Sequence, residues 1–103
     1  MDKFANVTVV TAANVYFDGK VTSRTLEFAD GSIKTLGIML PGDYEFGTAQ
    51  PELMEITAGE LLVKLPGSES WDTVGAGQSF RVPGDARFNL QVLRVTDYVC
   101  SYL

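Results

Sequence analysis

The sequence contains no histidine among its 103 residues. Histidine is the commonest protein ligand of transition metals, and it is the one side chain that titrates near neutral pH without a shifted pKa. Its absence argues against a transition-metal site, and we predict none. Acid–base chemistry would then fall to carboxylates, lysine or tyrosine, or to water and the substrate.

Cysteine, basic residues and long apolar runs are also scarce. The single cysteine, Cys100, cannot form a disulfide within the chain, and its apolar surroundings are typical of a small buried residue. Eight basic residues against thirteen acidic ones give a net charge of −5, which disfavours nucleic-acid binding. No apolar run approaches the roughly 18 residues of a membrane span, and the N-terminus does not resemble a signal peptide, so we expect a cytoplasmic protein.

Glycine and proline turns recur at short intervals along the chain, and the segments between them are rich in β-formers. This pattern predicts an all-β sandwich or barrel with little or no helix, and we expect one domain over residues 1–103. The predicted strands are Val7–Thr11, Val21–Phe28, Ile33–Leu40, Asp43–Phe46, Glu55–Thr57, Glu60–Leu65, Ser79–Val82, Arg87–Val95 and Tyr98–Leu103. The apolar segment Thr35–Leu40 is predicted to be a central strand buried on both faces.

A polar row runs along the strand that follows the Pro83-Gly84 corner. Period-two alternation puts Arg87, Asn89 and Gln91 on one face and apolar residues on the other. Such a row can contribute to a binding site only if its face borders a pocket. Its orientation is therefore the point on which a site in this stretch depends.

Two glycine-bounded blocks resemble the cupin motifs G-x5-H-x-H-x3/4-E-x6-G and G-x5-P-x-G-x2-H-x3-N. Glu52-x6-Gly59 matches part of the first, and Gly77-x5-Pro83 matches part of the second. With the register taken from Gly84, Arg87 stands at the second motif's histidine position. The resemblance implies a cupin-like β-barrel of the jelly-roll type. Because every histidine position is substituted, a metal-dependent dioxygenase or isomerase is the least favoured alternative.

A closer resemblance extends over nearly the whole chain. The segments Asn14–Val21, Leu36–Phe46, Phe80–Gly84, Phe88–Val92 and Tyr98–Leu103 are similar to the small cupin-like pyrimidine/purine nucleoside phosphorylases. The resemblance implies a pentosyltransferase that converts purine and pyrimidine nucleosides and phosphate to free base and ribose 1-phosphate. It also implies broad base tolerance and no cofactor, since inorganic phosphate is the co-substrate.

Phosphorolysis needs a seat for phosphate, contacts to ribose and stabilisation of an oxocarbenium-like transition state. We predict Glu52 and Arg87 as catalytic residues, with Glu52 at the ribose and Arg87 presenting a planar fork to phosphate. Further substrate-binding candidates are Arg81, Lys34, Asn89, Gln91 and Tyr44. Each has a structural alternative: a solvated arginine or lysine, an amide on an outer face, or a core tyrosine.

The alternative function is a non-enzymatic cupin that binds a small anion or sugar. For either function we expect a homodimer, because a small barrel often completes its sheet edges with a partner.

Overall fold

The computed structural model describes residues 2–103, which form two antiparallel β-sheets packed face to face. The strands are β1 (Thr8–Val9), β2 (Asn14–Tyr16), β3 (Val21–Glu27), β4 (Ile33–Met39), β5 (Gly42–Thr48), β6 (Glu52–Ala58), β7 (Glu60–Lys64), β8 (Asp72–Gly75), β9 (Ser79–Val82), β10 (Ala86–Val92) and β11 (Thr96–Tyr102). A single 3-10 turn, Phe17–Gly19, follows β2. Residues 2–103 contain no α-helix, which confirms the all-β prediction, and no helix in that range could cross a membrane.

The seven-stranded sheet, here called the large sheet, has the order β1-β3-β4-β11-β6-β9, with β2 also paired to β3. The four-stranded sheet, the small sheet, has the order β5-β10-β7-β8. Every pairing is antiparallel. The C-terminal strand β11 is central in the large sheet, between β4 and β6.

The core lies between the two sheets, and strict alternation selects its members. In β10 the apolar residues Phe88, Leu90 and Val92 are buried, and the intervening residues are half-buried or exposed. In β7, Leu61 and Val63 are buried in the same way. One side of each strand therefore builds the core, since only one face of each sheet meets the other sheet.

The prediction that Thr35–Leu40 is buried on both faces is wrong. Thr35 and Met39 are buried, but Leu36 is 46% exposed and Ile38 is 38% exposed. The large sheet is an outer layer of a two-layer sandwich, so alternate residues of β4 point away from the core.

Two strands were not predicted, and the largest difference in a strand's start is in β6. Asn14–Tyr16 and Asp72–Gly75 pair at the sheet margins, where short polar sequences give little periodic signal. Strand β6 begins at Glu52, directly after Pro51, rather than at Glu55. A proline is tolerated just before a strand, and this start gives Glu52 a fixed place in the sheet.

Candidate functional site

A cavity of about 140 Å³ lies between the two sheets. The lining residues are Tyr16, Ser23, Thr35, Met39, Phe46, Gly47, Glu52, Met54, Phe88, Tyr98, Cys100 and Tyr102. An engineered cavity of about 150 Å³ holds one benzene ring. This cavity can therefore take one ring of a larger ligand, and the rest of that ligand would extend through the mouth.

The two sheets give the cavity two chemically different walls. The large sheet supplies nearly all the polar groups, from β3, β4, β6 and β11. The small sheet supplies Phe46 of β5 and Phe88 of β10, which are paired across the strands. Their rings are stacked with centroids 5.7 Å apart and planes 24° apart. Tyr16 lines the cavity but is exposed, so it lies at the mouth of the cavity. Its ring packs edge-on to that of Phe46, with the ring centroids 6.5 Å apart.

Glu52 is the only charged residue that lines the cavity in the described part of the chain. Its side chain is half-buried, and its Oε1 accepts a hydrogen bond from the Cys100 thiol over 3.5 Å. Burial raises the pKa of Glu52, and the bond from Cys100 partly opposes that shift. The cavity thus contains one carboxylate whose charge is only partly compensated.

The thiol and the two phenols that β11 contributes to the cavity stay protonated at neutral pH. Burial, reinforced by the nearby Glu52 carboxylate, raises the pKa of Cys100 to about 12. Burial also raises the pKa of Tyr102 to about 12, and it raises the pKa of Tyr98 further. These groups can donate hydrogen bonds to a ligand but cannot supply charge. Cys100 is buried, as the sequence predicts, although it also borders the cavity.

Two buried hydroxyls, Ser23 and Thr35, complete the polar wall. The Asn14 amide donates to Ser23 Oγ over 3.2 Å, and the Ser23 hydroxyl in turn lowers the pKa of Tyr98. Thr35 is opposite Cys100 in the β4–β11 register, and its hydroxyl lowers the pKa of both Cys100 and Tyr102. The wall is therefore a surface of neutral donors around a single carboxylate.

Of the predicted site residues, only Glu52 lines the cavity. The polar row of β10 points away from the core: Arg87 is 75% exposed and pairs with Glu45 over 3.3 Å. Asn89 and Gln91 border a shallow depression on the outer face of the small sheet, beside Trp71. The structure therefore does not bring Glu52 and Arg87 into one cavity.

The other three candidates also lie elsewhere. Arg81 is exposed on β9, where the alternate residues Phe80 and Val82 are buried. The Lys34 ammonium lies over the rings of Phe4 and Phe28, at 5.5 and 5.8 Å from their centroids. Tyr44 is buried in the core, and its hydroxyl donates to the Leu40 carbonyl over 2.6 Å. No arginine or lysine lines the cavity within residues 2–103.

Sequence reasoning missed the hydroxyls and the aromatic wall. Tyr98, Cys100 and Tyr102 alternate along β11 and share the face that Glu52 occupies on β6, its neighbour. Their period-two spacing on one strand is the feature of the sequence that could have predicted a polar cavity wall. Nothing in the sequence distinguishes Ser23 and Thr35 as site residues, because single serines and threonines are common in strands.

The lining does not fit a transition metal of the kind that cupin motifs imply. Within residues 2–103 there is no group of three or more residues of the types His, Cys, Asp and Glu that could hold an ion. The cavity offers one carboxylate, a protonated thiol and neutral hydroxyls, a donor set poor in the nitrogen and thiolate ligands that such metals prefer.

Comparison with solved structures defines the class of fold. An RmlC-like cupin from Shewanella frigidimarina NCIMB 400 has a TM-score of 0.70 over 97% of this chain and 86% of its own, at 14% identity. That likeness confirms the predicted cupin fold, here as a sandwich of two sheets. A protein of unknown function from Acinetobacter sp. ADP1 is closer, with a TM-score of 0.96 and 45% identity over 98% of both chains.

Sequence comparison identifies the family. The family model described as pyrimidine/purine nucleoside phosphorylase matches residues 11–102. A protein of that name from Sulfurovum sp. (strain NBC37-1) is 64% identical over 103 residues, which is 100% of both chains. Another from Geobacter sulfurreducens is 58% identical over 100% of this chain and 99% of its own. The chain belongs to the pyrimidine/purine nucleoside phosphorylase family, and the predicted resemblance is confirmed.

Proposed function

We propose that this protein catalyses the reversible phosphorolysis of purine and pyrimidine nucleosides in the cavity between its sheets. Family membership supports the reaction. The observation that supports the cavity as its site is the position of Glu52, the single charged lining group among residues 2–103, opposite a wall of stacked phenylalanines. The products are the free base and ribose 1-phosphate.

The two walls suit the two halves of a nucleoside. A nucleobase of either class presents an aromatic face, which Phe46 and Phe88 can contact by stacking. Ribose presents hydroxyl groups. These can donate hydrogen bonds to the Glu52 carboxylate, and they can also form hydrogen bonds with the neutral hydroxyls of the large sheet. Since no amide or basic side chain of residues 2–103 lines the cavity to select the edge of a particular base, this arrangement favours broad base tolerance.

Glu52 is positioned to stabilise charge on the sugar. In the reaction the bond from C1′ to the base nitrogen breaks, its electron pair leaves with the base, and a phosphate oxygen forms a new bond to C1′. The sugar is cationic in between, and a carboxylate in a partly desolvated site favours that charge. Burial strengthens this interaction, because the effective dielectric constant is lower there than in water.

Phosphate, in this proposal, is bound by neutral donors. Ser23 and Thr35 are buried hydroxyls on the large sheet, and two strand positions separate Thr35 from the Glu52 carboxylate. Hydrogen bonds to a charged acceptor are stronger than those to a neutral one, so hydroxyls can substitute for a cation. A role for Arg87 as the phosphate ligand stays a prediction, and it requires phosphate to bind on the outer face of the small sheet.

We further propose that the protein needs no cofactor beyond phosphate, acts in the cytoplasm and functions as a homodimer.

The first test measures free base from inosine, adenosine, uridine and cytidine with and without phosphate. We expect phosphate-dependent release from all four. Glu52→Gln keeps the shape of the side chain but removes its charge, and we expect it to lower kcat by about 100-fold or more. The matched control is Glu69→Gln in the exposed loop before β8. If nucleoside or phosphate raised the thermal stability without any release of base, the proposed enzymatic function would be overturned and a binding protein would be supported instead.

The second test locates phosphate. Thr35→Val removes one hydroxyl at nearly constant volume, and we expect it to raise KM for phosphate about tenfold, with KM for nucleoside little changed. Thr73→Val, on the exposed side of β8, is the control. The proposal that these hydroxyls bind phosphate would be overturned if Thr35→Val had the wild-type KM for phosphate and Arg87→Ala had a much higher one.

A further inference from the structure

The outer face of the small sheet, on the side away from the cavity, has a shallow depression of about 360 Å³. The lining residues are Asp43, Tyr44, Glu45, Trp71, Asn89, Leu90 and Gln91. Tyr44 and Leu90 belong to the core, so the other five side chains are the ones that a ligand can contact. The volume is within the range of about 300–1,000 Å³ that is typical of small-molecule sites.

The strand register arranges four of these side chains in a compact group, here called the polar block. Asn89 of β10 is directly opposite Glu45 of β5, and Gln91 is directly opposite Asp43. Neighbouring strands are about 4.8 Å apart, and alternate residues along a strand are roughly 6.8 Å apart. The polar block therefore covers an area comparable to one sugar ring, and each amide has a carboxylate as its cross-strand neighbour.

Most of the hydrogen-bonding capacity of the polar block is unused. Glu45 accepts a bond from Arg87 over 3.3 Å, but the side chains of Asp43, Asn89 and Gln91 make no hydrogen bond within residues 2–103. Each amide offers donors and an acceptor, whereas a carboxylate only accepts. Hydroxyl groups, which both donate and accept, fit this mixed set better than the fixed pattern of a nucleobase edge.

An indole forms one side of the depression. Trp71 is 39% exposed at the end of the loop before β8, and it is the only tryptophan in the chain. In that loop the Ser70 backbone N–H donates to Ser68 Oγ over 3.2 Å, which helps to fix the segment that carries the indole. A large apolar ring beside polar groups suits a ligand with one apolar face and a polar edge. A sugar ring has this form, because its C–H groups make a face and its hydroxyls project from the edge.

Balanced charge on this face favours a neutral ligand. Two carboxylates, those of Asp43 and Glu45, line the depression. Two cations flank it: Arg87 pairs with Glu45, and Lys64 is opposite Asn89 in the register of β7 and β10. Because these four charges cancel, the surface does not attract an anion or a cation over long range.

We propose that this depression is a second ligand site, which binds a neutral sugar ring. The C–H face of the sugar packs against the indole of Trp71, and its hydroxyls bind the polar block. The site is separate from the cavity, because Phe46 and Phe88 point inward from the same two strands that direct the polar block outward. The inference is independent of the proposed catalytic activity.

Tryptophan fluorescence tests the site directly, because Trp71 is the only tryptophan. The protein is titrated with D-glucose, D-galactose and D-ribose, with the phosphate ester of each sugar, and with adenine as a nucleobase. We expect a saturable change in emission with at least one neutral sugar, and no tighter binding of its phosphate ester. The proposal would be overturned if adenine saturated the signal and no sugar did, or if a phosphate ester bound about tenfold more tightly than its neutral sugar.

Variants assign the fluorescence change to the polar block. Asn89→Ala and Gln91→Ala each remove one amide, and we expect each to weaken sugar binding about fivefold. The matched control is Gln50→Ala, which removes an exposed glutamine outside the depression and should bind as the wild type does. Glu52→Gln should also keep the response, because the cavity is on the other side of the small sheet.

Three further results would each contradict the site. The first is the absence of a saturable change with all three neutral sugars. The second is wild-type sugar affinity in both amide variants, with circular dichroism showing that they are folded. The third is loss of the response in Glu52→Gln, which would mean that the sugar binds in the cavity instead.

Discussion

The Cys100 thiol donates a hydrogen bond over 3.5 Å to Glu52 Oε1. The contact exists because β11 and β6 are neighbours and their register places Tyr102 opposite Glu52 and Cys100 opposite Met54. The bond is weak, so it lowers the pKa of Glu52 less than burial raises it. A carboxylate kept partly unsatisfied in this way is suited to a cationic ligand or transition state, at a cost in stability.

Glu52→Gln should stabilise the protein at neutral pH. The folded-state pKa of Glu52 is raised above its unfolded value, so the folded protein binds a proton more tightly than the unfolded chain. The resulting destabilisation is fully present above the folded pKa and disappears as pH falls to the unfolded value. Urea denaturation at neutral pH should therefore show a higher midpoint for the variant. At a pH below both pKa values the difference should be small, and a lower midpoint at neutral pH would contradict the assignment.

Cys100→Ala should move the acid limb of the pH–activity profile to higher pH. The thiol's hydrogen bond lowers the pKa of Glu52, so its loss lets that pKa rise, and the active carboxylate form is then lost at a higher pH. Measurements of kcat/KM between pH 4 and 8, in roughly half-unit steps, would reveal the shift. Cys100→Ser, which retains a donor, should shift less, and identical profiles for all three proteins would contradict the coupling.

Gly37→Ala should be strongly destabilising. The ring of Tyr98 lies across Gly37, and an added Cβ would lie 2.8 Å from it and too close to the Thr22 carbonyl. The backbone oxygen cannot move aside, so we expect a loss of about 2–3 kcal/mol in the free energy of unfolding. Gly75→Ala is the matched control, because a Cβ there meets nothing closer than 3.8 Å and the backbone needs no positive φ. Equal stabilities for the two variants would contradict this packing.

Arg87→Ala should change stability little. The Arg87–Glu45 pair is on the surface, with side chains 75% and 54% exposed. Such pairs contribute about 0.2–1 kcal/mol, and salt weakens them further. Thermal unfolding at low and high ionic strength should show a small loss that shrinks with salt. A loss as large as that of a core substitution would mean that Arg87 has contacts beyond Glu45.

The pattern of the sequence was sufficient for most of the strands but not for the site. Alternation identified Phe88, Leu90 and Val92 as core, and Glu52 was singled out by its spacing to Gly59. The polar row on β10 attracted attention because it is conspicuous in sequence. The same alternation places the row outside the sandwich, because the apolar residues between its members occupy the interior. The site instead uses dispersed hydroxyls that have no local signature.

The sequence by itself determined most of the strands and the absence of histidine chemistry, because these depend on residue type and period-two spacing between near neighbours. Only the tertiary structure decided which polar residues share a cavity. Glu52, Thr35 and Cys100 are on three different strands, and the register between those strands brings them to one wall. Register and layer order depend on pairing between distant segments, so no local pattern could have placed Thr35 on the same cavity wall as Glu52 and Cys100.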